Sequence, residues 1–145
     1  MGKVLILDFD GVLNNEPYLR HQKNHPDRDK FFDPKNIASL NSLVETIKFD
    51  QIVVSSSWKK NRTVEDLRLL LNSEEFAFAS LVSDVTPNCE SREEEIAKWL
   101  ETSEIVDYLI LDDMRLQGFE HHFYRTDPQK GLVQDDVSQI VGKKK

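Results

Sequence analysis

The chain has 145 residues, of which 39% are hydrophobic and 31% charged, and a formal net charge of −7. This is the composition of a soluble globular protein: no apolar run approaches the roughly 18 residues of a membrane span, and the acidic total argues against broad, charge-driven nucleic-acid binding. A single cysteine, Cys89, excludes an internal disulfide and a cysteine-rich zinc site; with no signal peptide ahead of the first strand, a cytoplasmic location is expected.

Val4 to Leu7, with Phe9 beyond, form an apolar run that predicts a strand buried on both faces, as inside a parallel sheet. The run ends on Asp8-Phe9-Asp10-Gly11. A buried strand that delivers carboxylates at its carboxyl end places them where open α/β sheets bind ligands. The plainer alternative is an Asx-turn. Gly11 supplies backbone freedom for a bend at this point. Residues 14–33 then form a polar segment without useful periodicity, holding Arg20, His21, Lys23, His25 and Arg28. It is read as a minimal flap beside the site, its histidines surface residues rather than ligands.

Asp33-Pro34 supplies an N-cap and a first-turn proline, and Ile37, Leu40, Leu43, Val44 and Ile47 give the helix that follows one apolar face. Gln51 to Val54 is the second strand, ending in Ser55-Ser56-Ser57-Trp58. Those serines either offer hydroxyls and backbone N–H groups to an anion or cap a turn. Lys59-Lys60-Asn61-Arg62 reads as a solvated loop, with a local basic patch as the alternative. A helix is expected from Thr63 to Leu71, and Ser80 to Val82 is an ambiguous short strand. Ser91 and Glu94 have capping-box spacing and open a helix through Leu100, with Ile96, Trp99 and Leu100 inward. Asp107 to Leu111 is a buried strand closing on Asp112-Asp113. His122 to Tyr124 forms the last strand, a final helix spans Asp135 to Ile140, and residues 142–145 are read as a disordered basic tail to a single domain of residues 1–141.

Strand and helix in alternation predict a three-layer, Rossmann-like α/β fold with a mainly parallel sheet. Its strand ends gather Asp8, Asp10, Ser55, Ser56, Asp112 and Asp113 on one edge. Carboxylates so crowded repel one another, and a divalent cation lets several stay ionised; an all-oxygen donor set favours Mg²⁺. A carboxylate nucleophile beside a cation, hydroxyl donors and a basic residue describes phosphoryl transfer through an acyl-phosphate.

These residues resemble the haloacid dehalogenase-like (HAD) superfamily of phosphohydrolases. Its first motif stands as Asp8-Phe9-Asp10-Gly11-Val12, its second as Ile52-Val53-Val54-Ser55 and its acidic fourth as Ile110-Leu111-Asp112-Asp113. For the basic third motif Arg92 is the best match, ahead of Lys98 and Lys59. The chain is similar along nearly its whole length to the small, cap-poor HAD domains of RNA-repair proteins, which carry in this order a Phe-Asp-Pro helix start, Ser-Ser-Ser-Trp, Arg-x-x-Glu-Ile-x-x-Trp-Leu and Leu-Asp-Asp. It departs from them at Lys59, where arginine is frequent, and at Asp84, where glycine is common.

The resemblance implies a Mg²⁺-dependent phosphatase with Asp8 as nucleophile and Asp10 as general acid and base. It implies that Ser55, Ser56 and Arg92 hold the phosphoryl group, and that Asp8, the Asp10 backbone carbonyl, Asp112 and Asp113 hold the metal. The two inter-motif gaps leave no room for a cap domain, so the site is expected to be open and to admit a terminal phosphate on nucleic acid. The alternatives are a small-metabolite or nucleotide phosphatase, and a non-catalytic module that binds phosphorylated ligands or another protein in the same cleft. A monomer is expected.

Overall fold

Five strands form one parallel sheet: β1 (Lys3–Leu7), β2 (Gln51–Val54), β3 (Val82–Val85), β4 (Asp107–Asp112) and β5 (Phe123–Arg125). The computed structural model describes residues 2–24, 31–104 and 107–144; His25 and Arg28 of the expected flap, and Lys145, lie outside them. The spatial order is β3-β2-β1-β4-β5. The chain thus builds outward from β1 through β2 to β3, then crosses back to place β4 on the other flank of β1. Such a reversal opens a crevice between the carboxyl ends of β1 and β4.

The strands read as apolar runs because both faces are covered. Leu5 and Leu7, with Ile52, Val54, Leu109 and Leu111, pack under α2 (Pro34–Thr46), α3 (Val64–Ser73) and α5 (Gln134–Lys144). Val4 and Ile6, with Val53 and Ile110, pack against Ile96 and Trp99 of α4 (Arg92–Ser103) and against Leu116 and Phe119. Full burial of each such side chain contributes about 1.5–3 kcal/mol. The strands that carry the candidate residues are therefore the most firmly held part of the fold.

Register then places those residues. Leu7 pairs with Val54 on one side and with Leu111 on the other. One position further, Asp8 lies level with Ser55 and Asp112, and Ser55 Nα–H donates to Leu7 O at 2.8 Å while Asp8 Nα–H donates to Leu111 O at 3.0 Å. Because side chains alternate between faces, Asp8, Ser55 and Asp112 share the face of Ile6, Val53 and Ile110, which is the α4 face.

Three expectations are corrected. Residues 14–33 are not without regular structure, for α1 spans Glu16–Asn24. Asn15 caps it, its Oδ1 accepting from Tyr18 Nα–H at 2.9 Å, and Glu16 and Lys23 sit at the ends that suit the helix dipole. With Leu19 43% exposed and no apolar stripe, α1 has no periodicity to read. The third strand is Val82–Val85, preceded by a 3₁₀ turn at Ala79–Leu81; its exposed Ser83 and Asp84 hide the strand pattern at the sheet edge. The tail expected to be disordered is helical to Lys144, because Val137, Ile140 and Val141 anchor α5 to the core. No helix among the described residues is long and apolar enough to cross a membrane.

Candidate active site

Asp8 is 4% exposed and Asp112 1%, and they face a third carboxylate, Asp113; one oxygen from each lies within 4.8 Å of the others. Asp113 follows directly on β4 and lies against Gly11. Gly11 has φ of +80°, and a Cβ there would collide with the Asp113 carboxylate, so both the backbone and the space require glycine. The turn that follows Asp10 is closed by Gly11 Nα–H donating to Asn14 Oδ1 at 3.0 Å and Thr126 Oγ1–H donating to Gly11 O at 2.7 Å.

Arg92 enters from the first turn of α4, capped by Ser91, whose Oγ accepts from Glu94 Nα–H at 3.1 Å. Only that half of the expected capping box is formed. A cation in the first turn opposes the helix dipole, and the carboxylates explain it: Arg92 Nη1 is 2.6 Å from Asp112 Oδ2 and 3.4 Å from Asp8 Oδ1. Burial, followed by the facing Asp112, pushes the Asp8 pKa up to about 9, and Asp113 adds to this while Arg92 pulls the other way. Asp113 is raised too, first by burial and then by Asp112. Burial alone would lower the Arg92 pKa, but Asp8 and Asp112 outweigh it and the net direction is up.

Glu95 joins the cluster, its Oε1 2.9 Å from Lys59 Nζ and 3.9 Å from Arg92 Nε. Four carboxylates thus face two cations, Arg92 and Lys59, a deficit that one divalent cation removes. The three aspartates are hard, closely spaced oxygen donors, and the pKa of Asp8 is raised by burial and then by Asp112. This donor set fits Mg²⁺.

The other expected residues divide. Ser55 is buried, and its Oγ has no hydrogen-bond partner among the described residues. A hydroxyl left so costs about 1–3 kcal/mol, which an acceptor brought in by a ligand would recover. Ser56 Oγ accepts from Trp58 Nα–H at 3.3 Å, capping the 3₁₀ turn Ser57–Lys59, and keeps its own proton to donate. The Asp10 side chain stands apart from the acidic trio: its Oδ1 accepts from Trp58 Nε1–H at 2.9 Å and from Asn14 Nδ2–H at 3.0 Å. Among the described residues its Oδ2 accepts no hydrogen bond.

Lys59 is not a solvated loop residue. It is buried, and its three ammonium protons go to Thr86 Oγ1 (2.9 Å), Pro87 O (3.2 Å) and Glu95 Oε1 (2.9 Å). A lysine has only three donors, so none is left for a substrate. Lys98 is exposed on α4. Of the three basic candidates, the geometry brings only Arg92 to the aspartates. Asp84 ties the β3 edge to α4 by accepting from Trp99 Nε1–H at 2.8 Å. Sequence reasoning missed Asn14, Glu95, Thr86 and Thr126, whose side chains serve partners distant in the chain and follow no spacing rule. Beside this network lies a cleft of about 340 Å³, lined by Ser56, Ser57, Lys60, Cys89, Ser91 and Arg92, among others.

Comparison with curated proteins and with solved structures gives no match. A family model described as the HAD domain in Swiss Army Knife RNA repair proteins matches residues 4–137. Nearly the whole chain is covered, from the start of β1 into α5, and the match agrees with the parallel sheet and with the acidic cluster at its carboxyl edge. The chain therefore belongs to the family of HAD domains of Swiss Army Knife RNA repair proteins, within the HAD-type phosphohydrolases.

Proposed function

We propose that this domain is a Mg²⁺-dependent phosphatase that works through an aspartyl-phosphate on Asp8 and acts on terminal phosphates of nucleic acid. The observation that carries the reading is the convergence of Asp8, Asp112 and Asp113 within 4.8 Å, with Arg92 bridging the first two. Mg²⁺, held by those three carboxylates and the Asp10 backbone carbonyl, would keep Asp8 ionised and polarise a phosphoryl oxygen.

Asp8 attacks phosphorus, and the bond from phosphorus to the ester oxygen breaks. Asp10, its Oδ2 unengaged, delivers a proton to that departing oxygen. In the second half Asp10 takes a proton from the water that attacks the aspartyl-phosphate, which frees phosphate and restores Asp8. Trp58 and Asn14 orient Asp10 by donating to its other oxygen. Ser55 Oγ, otherwise unpartnered, donates to a phosphoryl oxygen, and Arg92 neutralises another.

The substrate reading rests on what surrounds the edge. Only α1 stands between β1 and α2, and only a 3₁₀ turn and α3 lie between Trp58 and Phe76, so no folded cap encloses the site among the described residues. Arg20, Lys23, Lys60 and Arg62 are exposed and can meet a polyanion. The test compares kcat/KM for 3′- and 5′-phosphorylated oligonucleotides with that for the matching mononucleotides, at low and high salt. The oligonucleotide should be preferred and the preference should shrink with salt. A salt-insensitive preference for the mononucleotide would sink the polymer reading. No Mg²⁺-dependent turnover of any of these or of an aryl phosphate would sink the phosphatase reading.

A further inference from the structure

The hydrogen bond from Trp58 to Asp10 says which way the leaving group lies. If Asp10 protonates the departing oxygen, whatever neighbours Asp10 on the solvent side touches the part of the substrate bonded to that oxygen. That neighbour is aromatic. The Trp58 ring is half-buried, its Nε1 is 2.9 Å from Asp10 Oδ1, and the Arg62 guanidinium lies over it with Cζ 5.0 Å from the ring centroid. Phe31 meets Trp58 edge-on, with centroids 5.8 Å apart, and is 57% exposed.

The outer ring of this cluster is held in place with more care than an incidental surface phenylalanine needs. Glu74, 4% exposed at the end of α3, accepts from Phe31 Nα–H with Oε2 and from Phe32 Nα–H with Oε1, both at 3.1 Å. Phe32 and Phe9 lie fully buried beneath, with centroids 5.2 and 6.2 Å from that of Trp58. Arg62 Nη1–H donates to Trp58 O at 3.1 Å, and Asn61, with φ of 60°, makes the turn that brings it back. Glu74, through the backbone, and two buried rings thus anchor an exposed ring, a half-exposed indole and a guanidinium plane, and the indole itself bonds the candidate acid.

We propose that Phe31, Trp58 and Arg62 form a stacking platform for the nucleobase of the nucleotide that carries the terminal phosphate. The proposal rests on the terminal-phosphate reading above and narrows it, because every base offers a flat face to such a surface whatever its edge. It makes the domain selective for a base next to the phosphate and tolerant of which base it is. Arg62 can stack, or pair with the next phosphate of the strand.

The experiment uses an oligonucleotide ending in a phosphate and the same oligonucleotide with the terminal base replaced by a tetrahydrofuran abasic analogue. In the wild type, loss of the base should lower kcat/KM on the order of tenfold. In Phe31→Ala the ratio of base-bearing to abasic rates should fall toward one, and Phe31→Tyr should restore it. Equal rates on both substrates in the wild type, or a Phe31→Ala defect of the same size on both, would overturn the platform. Binding is read separately in Asp8→Asn, by quenching of tryptophan emission on titration with the two oligonucleotides. Quenching that needs the terminal base and disappears in Asp8→Asn/Trp58→Phe supports the platform even in a protein that hydrolyses no phosphate ester, an outcome that removes only the phosphatase reading. Turnover of oligonucleotide ends without regard to the base, and without base-dependent quenching, keeps the phosphatase and removes the platform.

Discussion

Arg92 Nη1 lies 2.6 Å from Asp112 Oδ2, joining the first turn of α4 to the last residue of β4. The pair is buried, with the arginine side chain 16% and the aspartate 1% exposed. Such a pair is costly to break from one side, because the remaining charge is left uncompensated. Its placement puts the positive charge of α4 against both Asp112 and Asp8.

Arg92→Ala should lower kcat/KM for an aryl phosphate by on the order of a hundredfold, as loss of a charge-assisted contact to the transferring group does. Lys98→Ala, on the exposed side of the same helix, should stay near wild type. Lys59→Met should show a different defect: it strips Glu95 of its partner and should cost about 3 kcal/mol of stability in chemical denaturation. An Arg92→Ala enzyme at wild-type rate, with Lys98→Ala impaired, would reassign the basic residue.

Asp8→Asn should abolish turnover, yet the variant should melt no lower than the wild type when no divalent cation is present. The reason is the raised Asp8 pKa: burial and the neighbouring carboxylates make its charge a liability in the folded state, and asparagine carries none. Thermal scans in chelator beside a phosphatase assay measure both halves.

The cation should be visible in stability. A Mg²⁺ ion taken up by the folded site and not by the unfolded chain should raise Tm by mass action, and Asp112→Ala should remove that rise. In chelator, Asp8 sets a slope against pH. Its folded pKa of about 9 exceeds the unfolded value of 3.8, so its contribution is fully present below pH 3.8 and is lost as pH rises toward 9. Stability should therefore fall with pH across that window, and less so in Asp8→Asn. Equal slopes in the two proteins would show that Asp8 is not the group that titrates.

Gly11→Ala should destabilise by about 1–3 kcal/mol from the positive φ alone, and more where the new methyl displaces Asp113. Displacing Asp113 should also weaken the Mg²⁺-dependent rise in Tm. A Gly11→Ala protein with wild-type stability and an undiminished Mg²⁺ response would contradict the crowding at that turn.

Much of this arrangement was legible beforehand because it follows from two periodicities. Apolar runs marked β1, β2 and β4, and the alternation of strand and helix set the sheet parallel, so Asp8, Ser55 and Asp112 had to meet at its carboxyl edge. Arg92 was legible as the best match to the basic third motif, in the first turn of a helix opened by Ser91. Lys59 was not, because a lysine in a polar stretch looks solvated until Thr86 and Glu95, distant in the chain, supply its partners. The helix α1 was silent for the opposite reason: a helix held by an asparagine cap and its end charges, and buried on no face, leaves no pattern to detect. The exposure of Phe31 was equally hidden: Phe31 and Phe32 are adjacent phenylalanines whose backbone N–H groups both donate to Glu74, yet one ring is exposed and the other buried.

The crossing from β3 back to β1 has a consequence for how the chain comes together. β1 is first in the sequence, but its second flank stays bare until residues 107–112 arrive to pair with it. Bringing such distant segments together is slow, since the loop must close before its contacts reward it. Until then Lys3–Leu7 presents an apolar row of unpaired amides and carbonyls, the kind of open edge that recruits another chain. Fragments ending after β3 should therefore self-associate instead of persisting as soluble half-domains, and during synthesis β1, though made before β4, is sealed on its second flank only once β4 has emerged.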